Sequence, residues 1–192
     1  MPLGGSGKPR RTKPGHPMLQ TLTAGKKSVI RIRNNDDLCC ARALVTAKAR
    51  LDQHPKRESL RKGGKIQKEL AVLLHHEAHV PFRLCGYEEL TKFSAAPSLY
   101  DYQILLVDAD RSFRITTFGS LQDKQLILLH EKGHYDVINR LRGFFGSSYV
   151  CAYCWKPYNN AGRHRCPNNK MSNAVPVAKK SALISFMLTF GV

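Results

Sequence analysis

Acidic side chains are scarce in this chain of 192 residues: 14 Asp and Glu stand against 31 Lys and Arg, for a formal net charge of +17. Long apolar runs are missing as well. The longest, from Ala182 to Phe190, falls short of the roughly 18 residues a membrane-spanning helix needs, so no membrane partner is expected. An apolar leader is also lacking, because the first residues run into Pro and Gly, and a nuclear or cytoplasmic rather than secreted protein is expected. The Gly5-Ser6-Gly7-Lys8 run lacks the upstream Gly, the following Ser or Thr and the preceding strand of a phosphate loop, which removes nucleotide binding of that kind.

Apolar residues make up 42% of the chain, enough for one ordinary core and too many for a disordered polyelectrolyte. The positive charge is concentrated at the ends. Residues 1–33 hold eight basic and no acidic residues and residues 151–192 hold six and none, while residues 81–150 balance at eight each. Residues 1–28, rich in Gly and Pro, read as a basic disordered tail, with a poorly ordered tail expected over 169–192. Lys8, Arg10, Arg11 and Lys13 fit a nuclear-import signal, a nucleic-acid contact or a plain solvated arm.

Between the tails, the pattern predicts a short strand at 29–32, a helix from about Asp37 to Leu51, a helix over 65–79 and a shorter one over 86–93. After Pro97 it changes to strands near 104–107, 113–118, 125–130 and 134–138, read as a meander. Helices followed by strands predict an α+β fold. The acids before Cys39 are expected to cap the first helix, and His75, His76 and His79 are expected on an exposed helix face.

Cys39 then falls in a first helical turn, where N–H groups and the helix dipole favour a thiolate. His134 at a strand start is a candidate base, and Asp136, two residues on, shares its strand face and can orient the ring. A buried structural cysteine is the competing reading. Cys151-Ala152-Tyr153-Cys154, followed after nine residues by His164-Arg165-Cys166, supplies four donors suited to a closed tetrahedral Zn²⁺ site. Trp155, Lys156, Arg163 and Arg165 lie among them, an aromatic and cationic mixture suited either to nucleic acid or to the small core of a metal knuckle.

The run Asp36-Asp37-Leu38-Cys39-Cys40-Ala41-Arg42-Ala43-Leu44 resembles the nucleophile motif of the ovarian-tumour (OTU) cysteine proteases, and Gly133-His134-Tyr135-Asp136-Val137 resembles their histidine motif. The helix at Gly86-Tyr87-Glu88-Glu89-Leu90 falls between them in matching order. That resemblance implies papain-like helices on a small, mostly antiparallel sheet over 29–148, with Cys39 as nucleophile, His134 as base, Asp136 as its orienting acid and Asp36 near the oxyanion. It implies a ubiquitin-like substrate protein. Asp37 and Leu38 replace the Gly and small residue usual before the Cys, so a fold retained without activity stands beside the enzyme reading. The continuation through Gly143-Phe144-Phe145 into the zinc element at 149–168 resembles the region upstream of the polymerase domain in protein-primed family B DNA polymerases of Maverick/Polinton-type mobile elements. Polymerase carboxylate motifs are absent from the sequence, which implies a fragment without polymerase chemistry.

Overall fold

The computed structural model describes residues 28–167. The two predicted tails lie outside the described residues, apart from Ser28. The helices are α1 (Cys39–Leu51), α2 (Arg57–Lys62), α3 (Lys65–Glu77), α4 (Tyr87–Ser94) and α5 (Leu141–Phe145). The strands are β1 (Val29–Ile30), β2 (Tyr102–Asp108), β3 (Arg114–Phe118), β4 (Lys124–Glu131), β5 (His134–Ile138), β6 (Tyr149–Val150) and β7 (Pro157–Tyr158). Five strands form one sheet in the order β1-β5-β4-β2-β3, and β6 and β7 form a separate ribbon. The architecture is mixed α and β, as expected.

The sheet is not the meander the strand sequence implied. β4 runs parallel to β2 and lies on its far side from β3; the other pairings in this sheet are antiparallel. Side-chain chemistry explains the bypass. β3 carries Arg114, Thr116 and Thr117 and buries only Phe118, as suits an edge, whereas β2 is buried along its whole length and needs an apolar neighbour on each side.

Alternation along β2 and β4 divides the apolar residues between two faces. Ile104, Leu106, Leu126 and Leu128 join a core with α1, α3 and α4, while Leu105, Val107 and Leu129 meet Leu141 and Phe144 of α5 on the other face. Helix α1 carries Cys39, Cys40, Ala41, Ala43, Ala47 and Ala49, all buried. Small side chains let its axis approach the sheet closely, and this brings its first turn against the end of β4 and β5.

Helix α1 begins later than the acids suggest. Leu38 is its N-cap and no side chain caps it; the Asp36 carboxylate instead accepts from the Leu38 N–H at 3.2 Å, closing a turn before the helix. Two short helices, α2 and α5, were not evident in the pattern because each spans barely a turn or two. The exposed histidine face is corrected at one position. His75 is 1% exposed, with Nδ1 3.0 Å from the Val80 carbonyl and its ring edge-on to Phe93 at 5.1 Å. The chain turns back at His79, whose φ of +51° ends the helix, and so lays Val80 and Phe82 over His75.

Candidate active site and metal centre

The β4–β5 connection is a two-residue turn, with Lys132 at φ +52° and Gly133 at φ +74°. Positive φ at both positions is the geometry that matches strand twist, and the glycine adopts it without strain. This turn sets His134 at the start of β5. The Cys39 sulfur lies 3.9 Å from the Gly133 carbonyl, so residues 94 positions apart meet where α1 begins and β5 begins.

His134 Nε2 lies 3.0 Å from the Ile32 carbonyl and 3.4 Å from Asp136 Oδ1. Both are acceptors, so Nε2 carries a proton in either charge state of the ring, and Nδ1 is the nitrogen at which a proton is gained or lost. The Cys39 thiol, beside Gly133, is near enough to act on the charge of the ring. Burial opposes a charged ring, but the bonds to Asp136 and then Cys39 outweigh it, and the His134 pKa is pushed up to about 9. Burial likewise works against charge on Asp136, while His134, the Ile32 N–H and Arg31 hold its carboxyl below the usual value. The structure therefore brings Cys39, His134 and Asp136 together. Cys39 is 3% exposed, and an incoming group must reach a sulfur that bulk water barely touches.

Asp36 lies in the turn before Cys39. Its carboxylate receives Arg42 Nη2 at 2.6 Å and Arg42 Nε at 3.1 Å, a two-pronged pair that stabilises the turn before Cys39. Burial opposes its charge, but Arg42 keeps the carboxyl pKa below its ordinary value. Arg42 continues to Gln67 at 3.0 Å, and Gln67 donates to Thr46 and to the Leu60 carbonyl. This buried network ties the turn to α1, α2 and α3.

Sequence reasoning missed Arg31 as a site residue. Arg31 Nη1 donates to Asp136 Oδ2 at 2.7 Å, and the Ile32 N–H donates to Oδ1 at 2.8 Å. Two successive residues beyond β1 thus hold both oxygens of the orienting carboxylate. Nothing local could have revealed this across 105 positions. Arg31→Met is expected to lower stability at neutral pH by about 1 kcal/mol, since the arginine is partly exposed and its charge screened. A carboxyl held low contributes stability present above its unfolded pKa and lost as pH falls through its folded one. The variant should therefore unfold at a higher pH in an acid titration, with Arg31→Lys recovering most of the difference; coincident acid midpoints would remove Arg31 as a positioning residue.

A second polar cluster lies at the carboxyl ends of β2 and β4. Asp108, Asp110 and His130 present ligand-type atoms within 4.8 Å of one another. Asp108 already accepts from Tyr87 Oη at 3.0 Å and from the Asp110 N–H at 3.1 Å, and faces His130 Nδ1 at 3.2 Å. These bonds pin α4 to the strand ends.

The other cluster is Cys151, Cys154, His164 and Cys166, whose ligand atoms also fall within 4.8 Å of one another. Cys154 Sγ is 3.5 Å from His164 Nε2, and the Tyr153 N–H lies 3.5 Å from Cys151 Sγ. Tetrahedral zinc with thiolates at about 2.3 Å would hold its donors at comparable separations. Burial opposes ionisation of Cys151, yet the Cys154 and Tyr153 N–H groups and His164 bring its pKa down; burial and the neighbouring sulfurs push Cys154 up. Crowded thiols that cannot all ionise are what a dication relieves, so the residues fit a metal ion.

Of the proposed nucleic-acid residues, Arg163 and Arg165 line an open groove of about 550 Å³ with Tyr158, Asn159, Asn160 and His164. Lys156 is exposed outside that lining. Trp155 is only partly buried and packs against the Leu105, Val107 and Phe144 cluster, closing one face of the sheet.

No helix among the described residues is long and apolar enough to cross a membrane. No protein-family model matches the sequence, and no curated protein does. Among solved structures, the chain is similar to an ovarian tumour (OTU) domain determined in complex with ubiquitin, at 19% identity over 57% of this chain and 67% of that one, with a TM-score of 0.31. At that level neither fold nor activity passes from one protein to the other, and the chemistry of the present site rests on its own geometry.

Proposed function

We propose that the chain carries a papain-like thiol site of OTU type, in which Cys39 is the nucleophile, His134 the acid–base and Asp136 its orienting carboxylate. The observation that carries this reading is the His134 ring, with Nε2 committed to Ile32 and Asp136, at the start of the strand whose preceding turn residue Gly133 meets the Cys39 sulfur. The thiol passes its proton to Nδ1 and the thiolate adds to a carbonyl carbon. The oxygen that becomes negative faces the start of α1, whose first N–H groups have no acceptor within the helix. Collapse of the adduct breaks the C–N bond, the imidazolium protonates the departing amine, and water then hydrolyses the thioester.

The substrate in this reading is the carboxyl terminus of a ubiquitin-like protein in isopeptide or peptide linkage. The body spans 29–148. The element at 149–168 binds Zn²⁺ through Cys151, Cys154, His164 and Cys166; four protein ligands leave no open position, so the metal is structural. Ancestry in the segment upstream of a Maverick/Polinton-type polymerase accords with the order of the His134 and Cys151–Cys166 motifs. The test is to treat the full chain with ubiquitin bearing an electrophilic C-terminus. An adduct on Cys39, missing from Cys39→Ala, supports the reading; no adduct while iodoacetamide still reaches Cys39 would leave a fold without that activity.

A further inference from the structure

Beyond Asp136 the chain has no acidic residue at all, while Arg140, Arg142, Lys156, Arg163 and Arg165 follow within the described residues. Arg163 and Arg165 are exposed and line the groove, in a stretch that carries no carboxylate of its own. Even with three thiolates neutralised in part by a dication, the stretch stays net positive. A groove of this kind attracts phosphates by releasing counterions.

A stack of rings stands beside the groove, and two of its members, Tyr158 and His164, line it. Tyr158 lies over His164 with centroids 4.4 Å apart and planes at 13°, and Tyr149 lies over Tyr158 at 5.3 Å and 18°. Tyr149 and Tyr158 face each other as register partners across β6 and β7, so the ribbon builds the column. His164 anchors one end through the metal-ligand cluster. At the other end Tyr149 is 43% exposed. A column of parallel planes that ends in an exposed ring can be extended by another flat group.

We propose that this element is a binding site for single-stranded nucleic acid, with Arg163 and Arg165 on the phosphates, a base stacked on the outer face of Tyr149, and the amide N–H groups of Asn159 and Asn160, whose Oδ1 atoms accept from the Ser148 and Gly162 N–H groups, at base edges. The flatness of the column favours nucleobases over other phosphate-bearing partners. Acidic lipid would call for exposed aliphatic side chains, and the exposed large side chains of this element are the phenolic rings of Tyr149 and Tyr153. The inference is independent of the thiol chemistry; it rests on the metal reading only in so far as His164 is held in place.

The experiment is fluorescence anisotropy of a labelled oligothymidylate of about 20 nucleotides with the full chain across a salt series. Arg163→Ala with Arg165→Ala should weaken binding roughly tenfold and make the logarithmic salt slope shallower by about 1.4, from about 0.7 per phosphate lost. Tyr149→Ala should weaken the oligonucleotide by roughly tenfold while leaving inorganic polyphosphate unaffected. Unchanged affinity in the arginine variant overturns the proposal, because binding then belongs to other basic segments. Equal loss of polyphosphate and oligonucleotide in Tyr149→Ala overturns the base-stacking assignment. Each variant is checked for parental metal content and for probe labelling at Cys39, so failure of the metal or protease reading shows separately.

Discussion

His134→Ala is expected to lower kcat/KM for a ubiquitin-derived fluorogenic amide by roughly 1,000-fold, and Cys39→Ala to abolish turnover. The size follows from the two tasks the ring has in the proposed reaction, taking the thiol proton and returning it to the amine. Its pKa, raised to about 9, adds a pH signature. A raised His pKa contributes stability to the charged pair that is fully present below about 6.5 and is lost as pH rises through about 9. Turnover should accordingly decline on the alkaline side near pH 9, as the imidazolium needed by the leaving group disappears. At the acid side the pair persists until Asp136, held below the ordinary carboxylate pKa, takes up a proton. An alkaline limb at the ordinary histidine value, or a His134→Ala variant with parental rate, would remove His134 from the chemistry.

Metal removal is expected to have the largest structural effect. Apparent zinc affinities of structural sites amount to about 10–16 kcal/mol, and in small units that free energy is folding free energy. The β6–β7 ribbon is only four residues of paired strand, and Cys151, one of the ligands, is bonded to both sides of the turn: its N–H donates to the Lys156 carbonyl and its carbonyl accepts from Trp155. Chelation should release this turn and with it Trp155, which covers the Leu105, Val107 and Phe144 cluster. Trp155 is the chain's single tryptophan, so its emission reports the event directly. A red shift on chelation, reversed by Zn²⁺ and abolished in Cys154→Ser, is the expected result. The body should retain Cys39 labelling, since the core holding α1 lies on the opposite face of the sheet. Purified protein with less than about half an equivalent of zinc, and an emission indifferent to chelator, would overturn the metal centre.

Much of the site was legible because its parts are local. The Cys-x-x-Cys bite and the His-x-Cys pair each close a few residues apart, and His134 and Asp136 share a face by strand alternation. The positions of the four main strands were legible within a few residues for the same reason. Asp36 shows the limit: a carboxylate before a cysteine reads as a helix cap, whereas Leu38 is the cap and Arg42, six residues on, claims the carboxylate as an ion pair. His75 shows another, since three histidines on one helix look solvated until the chain folds back over one of them.

By itself the sequence determined which thiols, imidazoles and carboxylates exist, their local spacing, the segregation of charge to the ends and the mixed α and β class, all set by interactions within a few residues. Only the tertiary structure decided that Cys39 meets Gly133, next to His134, across 94 positions, that Arg31 and Ile32 hold Asp136, that β4 lies beside β2, and that Trp155 closes a core while Tyr149 is left exposed. Hydrogen bonds and ring contacts act over a few ångströms, and such distances between remote residues are set by how small side chains let α1 settle on the sheet, which periodicity along the chain does not encode.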